Sequence, residues 1–541
     1  MVIKSGASSV ARKLEYLLMS TDASWDAIVI GSGLGGLTAA AAIASRGKRV
    51  FVLERHASFG GAATVYRHGA LSIEGSLHEI DGDTVYGAHG PIARLGLTGS
   101  VAPIATDIFY EARGAMLPTV RVPHGLDAAH EALARAMPRS RRALKKFFNE
   151  AKRLHRSFHD LEELGARGPV VLAGLILSGR LFALLMDSRR TLHQKLAAIF
   201  GDDETPKFVL GAPIAYFDDD PRKLSCLLYL GVWTRYVEAG SYYFKGGSGA
   251  LAAALVKQIQ DRGGAVQSSS KVESIVVDGK QGATGVTYAD SAGSLHEASA
   301  PIVLGNASPS AITEMLPPGA RYVFAKQYER FEPSISLFTV SLGLTRPPAD
   351  FGVSAYSTFV YPESMIRFAD FAKAAAVFGA APAHRVPPYV LADYDRLASG
   401  LRSTGDLHSL SITGVDRLAW WQRLGEGAER TRREQWIDAL VADVDRRYPG
   451  LQSAVAQREI ATSRTMHTWL GTPAGEVYGF RPTPSRLFSR SPTAATPIRG
   501  LWLSSAYTMS GGYAGAMQGG LMAADAALKQ LRSRRVPIPR S

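Results

Sequence analysis

Trp25-Asp26-Ala27-Ile28-Val29-Ile30-Gly31-Ser32-Gly33-Leu34-Gly35-Gly36-Leu37-Thr38-Ala39 is the stretch on which the reading of this 541-residue chain turns. Residues 27–30 are a short apolar run suited to a parallel strand buried on both faces, and residues 34–45 read as a helix of small residues. Between them Gly31, Gly33 and Gly36 keep the spacing G-x-G-x-x-G. The first permits a tight turn, the second lets the backbone approach a pyrophosphate, and the third lets helix and strand pack closely. The helix N-terminus offers unpaired N–H groups and a positive dipole end to the phosphates, which adds Ser32, Leu34 and Gly35 as candidate contacts. A second strand at 49–53 ends at Glu54, whose carboxylate can accept bonds from both hydroxyls of an adenosine ribose. Two strands, a helix and an acid in this order imply a dinucleotide-binding α/β domain rather than a merely glycine-rich turn.

A second glycine-rich block, Gly500-Leu501-Trp502-Leu503-Ser504-Ser505-Ala506-Tyr507-Thr508-Met509-Ser510-Gly511-Gly512-Tyr513-Ala514-Gly515, lies near the other end. It implies that the chain returns to the dinucleotide, as flavoproteins often do and nicotinamide dehydrogenases need not. The length suggests two domains, interleaved. Hydrophobic residues at 46% and charged residues at 20% describe an ordinary globular protein. A formal net charge of +13 favours anionic surfaces. No nucleic-acid module accompanies it, so a membrane surface is the expected partner and nucleic acid is not. Cys226 is the single cysteine, which excludes an internal disulfide and a cysteine metal cluster, and it reads as core. The histidines lack metal-ligand spacing, so no metal is expected. Residues 1–24 lack the apolar centre of a signal peptide, which points to a cytoplasmic location.

The dinucleotide-binding domain reads as discontinuous: an extension at 1–24, then domain parts at 25–102, 244–332 and 491–530, and a basic tail at 531–541. Within the second part, 251–262 form a helix, 271–277 and 285–288 alternate as strands, and 301–306 form a buried strand. The strand edge at Val272 is placed to pair its backbone with adenine. The intervals 103–243 and 333–490 remain for an α+β substrate domain. The first is helical in pattern; the second opens with a strand at 335–342 and carries a helix at 429–447 with Trp436, Leu440 and Val444 on one face. Asp218-Asp219-Asp220-Pro221 reads as a helix N-cap followed by proline at the first helical position.

Five blocks, taken in order, resemble a branch of the amine oxidase superfamily: the phytoene desaturases, carotenoid isomerases and retinol saturases. They are Leu71-Ser72-Ile73-Glu74-Gly75-Ser76-Leu77-His78-Glu79-Ile80, Gly240-Ser241-Tyr242-Tyr243-Phe244-Lys245-Gly246-Gly247, Asn306-Ala307, the stretch from Trp469 to Phe480, and the C-terminal block. Gly60-Gly61, six residues beyond Glu54, resembles the superfamily's extended FAD motif. The resemblance implies FAD, a Rossmann-type FAD-binding domain of the GR2-like kind, and an interleaved substrate domain. Two departures stand out. Ala62 occupies a place where arginine usually follows the glycines, leaving Arg55 or Arg67 to compensate. Ser504-Ser505-Ala506-Tyr507 stands where the last strand usually ends in glycine and an acidic or polar residue, leaving Ser505 as a ribityl contact. Gly512, Tyr513 and Ala514 are expected at the isoalloxazine, with a helix N-terminus toward its electron-rich edge.

The implied activity is flavin chemistry on carbon–carbon bonds of a long apolar polyene or isoprenoid lipid, such as a carotenoid or retinoid: desaturation, saturation or reduced-flavin isomerisation. No motif fixes the direction. The proton moves through water, the flavin or a nearby side chain, and His78 and Glu79, in a cluster with Asp81 and Asp83, are the side-chain candidates. A flavin amine oxidase, with Tyr242, Tyr243 and Tyr513 as an aromatic cage, is one alternative. A lipid-binding protein without catalysis is another, and the retained Gly31, Gly33, Gly36 and Glu54 speak against it.

Residues 169–186 are strongly apolar but marginal in spanning length and interrupted by Arg180, so they are not read as transmembrane. With Arg167, Arg189 and Arg190 as flanks they fit a monotopic patch. Ahead of them, Leu144, Phe147, Phe148, Ala151 and Leu154 share a helix face, and Arg141, Arg142, Lys145, Lys152 and Arg153 occupy much of the rest. Two readings stay open for 139–190: a substrate-domain helix with a solvated basic face, or a peripheral membrane-docking surface. Arg180 is either a snorkelling charge or a headgroup partner.

Overall fold

The computed structural model describes residues 25–76, 78–114, 117–162, 174, 176, 178–279, 281–401, 404–488, 493–509 and 511–533. The strand Ala27–Ile30 is the middle of a five-stranded parallel sheet. The order across it is Ala265–Gln267, Val50–Leu53, Ala27–Ile30, Val303–Gly305 and Leu501–Leu503. Side chains alternate between two cores. Ala27 and Val29 pack with the helices Leu34–Ala44, Ser248–Asp261 and Gly512–Ser533. Ile28 and Ile30 pack with an antiparallel sheet of Lys271–Val277, Ala283–Ala289 and Leu295–Ser299. Apolar cores on both faces explain why the strand shows no polar alternation. The α/β class with a Rossmann-type FAD-binding domain is borne out.

The two glycine-rich blocks meet through backbone. A Cβ on Gly35 would lie 1.9 Å from the Ser504 carbonyl oxygen, and one on Gly520 would lie 2.2 Å from the Gly35 oxygen. The first helix and the last therefore approach at a distance that only glycine permits.

The second layer system is a mixed seven-stranded sheet, ordered Val455–Ala461, Ser336–Leu344, His408–Asp416, Tyr389–Asp393, Ser357–Tyr361, Tyr110–Gly114 and Leu117–Val122. One face buries Phe338, Val340 and Ile412 against the helix Glu426–Arg447, where Trp436, Leu440 and Val444 are buried. The other face carries Phe359, Tyr361 and Val390 into a core with the helices Arg141–Glu162 and Cys226–Ala239. The face formed by Leu144, Phe147, Phe148, Ala151 and Leu154 points into that core.

One local reading is corrected. The helix after Asp218–Asp220 starts at Cys226, and its N-cap is Ser225, whose hydroxyl accepts from the Leu228 N–H. Asp218 instead pairs with Arg481 (2.7 Å), and Asp219 is bonded to Arg481 (2.6 Å) and Arg417. Asp218 and Asp219 are buried and paired with arginine, and the backbone N–H groups that Asp218 and Asp220 accept from lie in the turn ahead of the helix. Cys226 is buried. The extension at 1–24, residues 163–173 of the apolar region and residues 534–541 of the tail fall outside the described residues, as does the Arg180 side chain. Among the described residues no helix is long and apolar enough to cross a membrane, and no cluster could hold a metal ion.

Candidate functional site

A cavity of about 1280 Å³ runs from the glycine loop into the space between the two layer systems. Gly31, Gly33, Leu34, Gly35, Glu54, Arg55, Gly60, Gly61, Ala62, Val272, Ser505, Gly512, Tyr513 and Ala514 all line it. Ser32 and Gly36 do not. Ser32 is fully buried, and its N–H (2.8 Å) and hydroxyl (2.6 Å) both donate to Glu54 Oε2. Glu54 Oε1 accepts from the His56 N–H at 2.8 Å. The loop thus aims the carboxylate, and Oε1 keeps the lone pair most open to a ribose hydroxyl. Gly36 is a packing position, since a Cβ there would lie 2.4 Å from the Gly31 oxygen. Val272 lies on the edge strand of its sheet, so its outer backbone edge faces the cavity.

The wall fits a flavin dinucleotide. The Ser505 hydroxyl is buried without a partner, as is that of Ser504. An orphaned hydroxyl in a cavity wall is costly unless a ligand satisfies it. Gly33 and Gly60 pair as a parallel bridge, and a Cβ on Gly61 would come within 3.1 Å of the Gly33 Cα, which keeps this side open only for glycine. Arg67 is exposed and does not line the cavity, so of the two arginines only Arg55 stands at the wall. Three further residues complete this end. The Asn306 amide donates to the Gly31 oxygen at 3.2 Å. Trp469 stacks on His56 with centroids 4.1 Å apart and donates to the Gly61 oxygen at 3.1 Å. Arg55 donates to the Trp469 carbonyl at 2.6 Å. Asn306 and Trp469 stand in blocks legible in the sequence, but their contacts join segments far apart in the chain.

The far end of the cavity is aromatic. Tyr216, Tyr236, Tyr394, Tyr478, Phe109, Phe217 and Trp233 line it, with His78 and Glu79 among them. The His78 ring sits between Tyr216 and Tyr356, 5.2 Å from each, and its Nε2 is 2.9 Å from the Ser357 hydroxyl. Burial holds its pKa down at about 3, so it is neutral near physiological pH. Burial pushes Glu79 the other way, up to about 8, with the Ser241 hydroxyl pulling back against it. Glu79 Oε1 is 3.8 Å from His78 Nε2, and its Oε2 is buried without a hydrogen-bond partner. The pair therefore divides into a neutral imidazole and a protonated carboxylic acid. The other two acids of the cluster have structural partners. Asp81 caps the helix Gly82–Tyr86, and Arg235 pairs with both Asp81 and Asp83.

The expected aromatic cage is not assembled. Tyr243 is buried with its hydroxyl on Glu74 (2.6 Å), and Tyr242 lies edge-on against Tyr86. Neither lines the cavity; Tyr513 does, bonded to Ser76 at 2.9 Å. The tyrosines at the wall come from segments that sequence spacing does not connect.

Residues 26–89 match a family model described as an FAD binding domain. The chain is 24% identical over 536 residues to all-trans-retinol 13,14-reductase of Rattus norvegicus, covering 93% of this chain and 86% of that one. It is 24% identical over 508 residues to the chloroplastic prolycopene isomerase of Daucus carota, covering 88% and 75%. It is 31% identical over 270 residues to the neurosporene-forming phytoene desaturase of Cereibacter sphaeroides, covering 49% and 50%. Cyclohexylamine oxidase of Brevibacterium oxydans shares the fold, with a TM-score of 0.59 over 95% of this chain and 99% of that one at 15% identity. FAD is the cofactor, and the resemblance drawn from the five sequence blocks is borne out.

Proposed function

We propose that this protein is an FAD-dependent oxidoreductase acting on carbon–carbon bonds of a long apolar polyene or isoprenoid lipid. Glu79 is the observation that carries this reading: a buried carboxylic acid held neutral, with one oxygen free, in an aromatic cavity continuous with the dinucleotide loop. Protonation of carbon is accelerated by an acid placed against it, and a pKa near the working pH suits that task. Full-length relatives that are named for retinoid and carotenoid chemistry support the same substrate class.

In this reading the N–H groups of Gly33, Leu34 and Gly35 bind the pyrophosphate, Glu54 the ribose, and the edge at Val272 the adenine. Gly60, Gly61, Ala62 and Arg55 close the near side, and Ser505 meets the ribityl chain. Gly512, Tyr513 and Ala514 present a helix N-terminus to the ring. FAD, when bound, supplies or accepts the hydride. The aromatic wall excludes water and aligns an apolar chain, neutral His78 holds its place through Ser357, and Glu79 Oε2 gives or takes the proton.

Anaerobic incubation of oxidised and of reduced enzyme with carotenoids, retinoids and fatty acids tests this, read by flavin absorbance and product mass. A two-hydrogen mass change gives the direction, and unchanged mass with altered retention means isomerisation. Glu79→Gln is expected to keep its flavin and lose turnover by about a hundredfold or more. Flavin reduction by aliphatic amines, with every polyene inert, would return the protein to the amine oxidase reading.

The same proposal places the protein on an anionic membrane surface. Ile176, Phe182, Leu185 and Met186 are exposed, the last three on the helix Arg180–Ser188, which packs against Arg141–Glu162. Arg141, Arg142, Lys145 and Arg153 are exposed on that neighbour, and cations beside an apolar row suit lipid headgroups. Sedimentation with phosphatidylserine vesicles is the assay; the double variant Phe182→Glu, Leu185→Glu should stay in the supernatant. Parent protein that ignores such vesicles would refute the placement.

A further inference from the structure

An apolar chain that fills the cavity shuts out water, yet a Glu79 that has given up its proton has to regain one before the next turnover. A three-stranded sheet behind Glu79 provides a route. Its strands are Ile80–Asp81, Ser241–Phe244 and Pro103–Ala105, with the central one paired to both neighbours. Glu79 immediately precedes the first strand and Thr106 immediately follows the third. The register sets Thr106 opposite Ser241, and the Thr106 N–H donates to the Ser241 carbonyl at 3.0 Å; Glu79 lies diagonally, two positions off that pairing, with the Ser241 hydroxyl acting on its carboxyl.

The side chains continue the line. Ser241 Oγ is 2.6 Å from Thr106 Oγ1, and Thr106 Oγ1 is 3.1 Å from His124 Nε2. Ser241 Oγ is itself 3.5 Å from the same nitrogen. Ser241 and Thr106 are buried, His124 is half-buried, and none of the three lines the cavity. Each hydroxyl can donate and accept at once, which is what passing a proton requires. His124 Nδ1 is buried without a hydrogen-bond partner. Burial lowers the pKa of the ring, against the Tyr236 and Thr106 backbones and the charge of Asp107, so the neutral imidazole is favoured and the protonated one is a transient carrier; Phe109 stacks beside it. Asp107 has a side chain 40% exposed and pairs with Arg121 and Arg396, which brings the protein surface within electrostatic reach of the ring.

We propose that Ser241, Thr106 and His124 are a proton relay that recharges Glu79 from solvent while the cavity is filled, an inference that rests on the acid role of Glu79 given above. In one pass the Ser241 hydroxyl gives its proton to the Glu79 carboxylate and takes one from Thr106. Thr106 takes one from protonated His124, and the neutral imidazole regains a proton from water. Both hydroxyls end as they began, and no electrons move. The last hop has the Glu79 carboxyl turn toward Ser241, since its Oε2 accepts no hydrogen bond at rest. In desaturation the same line runs outward.

The test uses FAD-loaded full-length protein with a retinoid bound, its presence confirmed by its absorbance. The infrared band of the protonated Glu79 carboxyl, identified by its loss in Glu79→Gln, is followed after mixing into heavy water. Thr106→Val and Ser241→Ala are expected to slow the band's exchange by about tenfold or more, while Thr106→Ser, which keeps the hydroxyl, exchanges like the parent. Turnover in the two slow variants should acquire a larger solvent isotope effect at unchanged flavin content. Exchange as fast as the parent in both Thr106→Val and Ser241→Ala, with the band intact, overturns the relay and leaves the acid role standing. A parent without the band near neutral pH overturns the acid role, and the relay with it.

Discussion

Replacing Gly35 by alanine probes the joint between the two glycine-rich blocks. The new Cβ would lie 1.9 Å from the Ser504 carbonyl oxygen and 2.8 Å from Asn306 Oδ1. Ordinary contact begins at 3.4 Å, so one wall has to retreat by about 1.5 Å. Ser504 offers no easy movement: the clashing atom is backbone, and its own N–H donates to the Gly305 oxygen at 3.0 Å. Asn306 is held by its bond to Gly31. Overpacking costs about 1–3 kcal/mol where side chains can adjust. With backbone on the opposing wall, Gly35→Ala belongs at the upper end, roughly 3 kcal/mol, which in a chain of 541 residues lowers the melting temperature by about 3 °C. The retreat also widens the loop proposed to bind the pyrophosphate, so flavin content should fall with stability. Calorimetry and the ratio of flavin to protein absorbance measure both. Gly99→Ala is the control: a Cβ there meets nothing within 4 Å, and it should stay within about 0.5 kcal/mol of the parent. A Gly35→Ala protein that melts within about 1 °C of the parent with full flavin would refute the close approach of helix and final strand.

Glu79 and His78 should imprint opposite slopes on stability against pH. Glu79 has an ordinary pKa of 4.5 and a folded one of about 8, so its proton-linked stability is complete below the first value and lost as pH rises through the second. Neutral His78 works the other way: between 6.5 and about 3 the unfolded chain takes a proton that the fold refuses, so stability is lost as pH falls. Glu79→Gln should therefore melt progressively closer to, or above, the parent as pH is raised toward 8, and a constant offset across that range counts against the raised pKa. Trp469→Ala removes the ring over His56 and is expected to weaken FAD retention by roughly tenfold, read as flavin released on ultrafiltration. Retention equal to the parent would remove Trp469 from the cofactor end. Cys226, pushed up to about 12 by burial, should resist thiol reagents in the native protein and react only at the rate of unfolding. Prompt labelling would contradict its burial.

What the sequence shows and what it hides divide by distance along the chain. The strand, loop and helix at 25–45 are legible because their determinants are local: apolar run, glycine spacing and small residues all act within a few positions. Asp218–Asp220 shows the limit of local reasoning. Its pattern fits a helix cap, and Asp218 does accept from the Asp219 and Asp220 N–H groups, but its charge partner Arg481 lies 263 positions away and no local pattern announces it. Tyr216, Tyr236, Tyr394 and Tyr478 converge on one cavity from separate segments, so no spacing announces them. Position alone cannot rank His78 against Glu79 either. Burial does, by keeping the imidazole neutral and the carboxyl protonated.

The departures at the C-terminal block acquire a physical meaning from the neighbours of Tyr507. The resemblance leads one to expect an acidic or polar group just beyond the final strand, and the chain offers Ser504, Ser505 and Tyr507. Tyr507 is buried, and its hydroxyl donates to Glu476 Oε1 at 2.5 Å. Glu476 is buried at the same cavity wall, its Oε2 accepting from the Ala474 N–H at 2.9 Å, and burial raises its pKa. A carboxyl therefore does stand beside the final strand, but another segment supplies it and a tyrosine holds it. The Ser505 hydroxyl, without a protein partner, is left to face whatever occupies the wall. Moving the acid from the strand to residue 476 couples the cofactor end of the cavity to the segment running from Trp469 to Phe480. That segment also covers the dinucleotide loop through Trp469 and lines the substrate end through Tyr478. One stretch of chain thus lines both ends of the cavity, so under the proposed placement of flavin and substrate a change at one end acts on the other through residues 469–480.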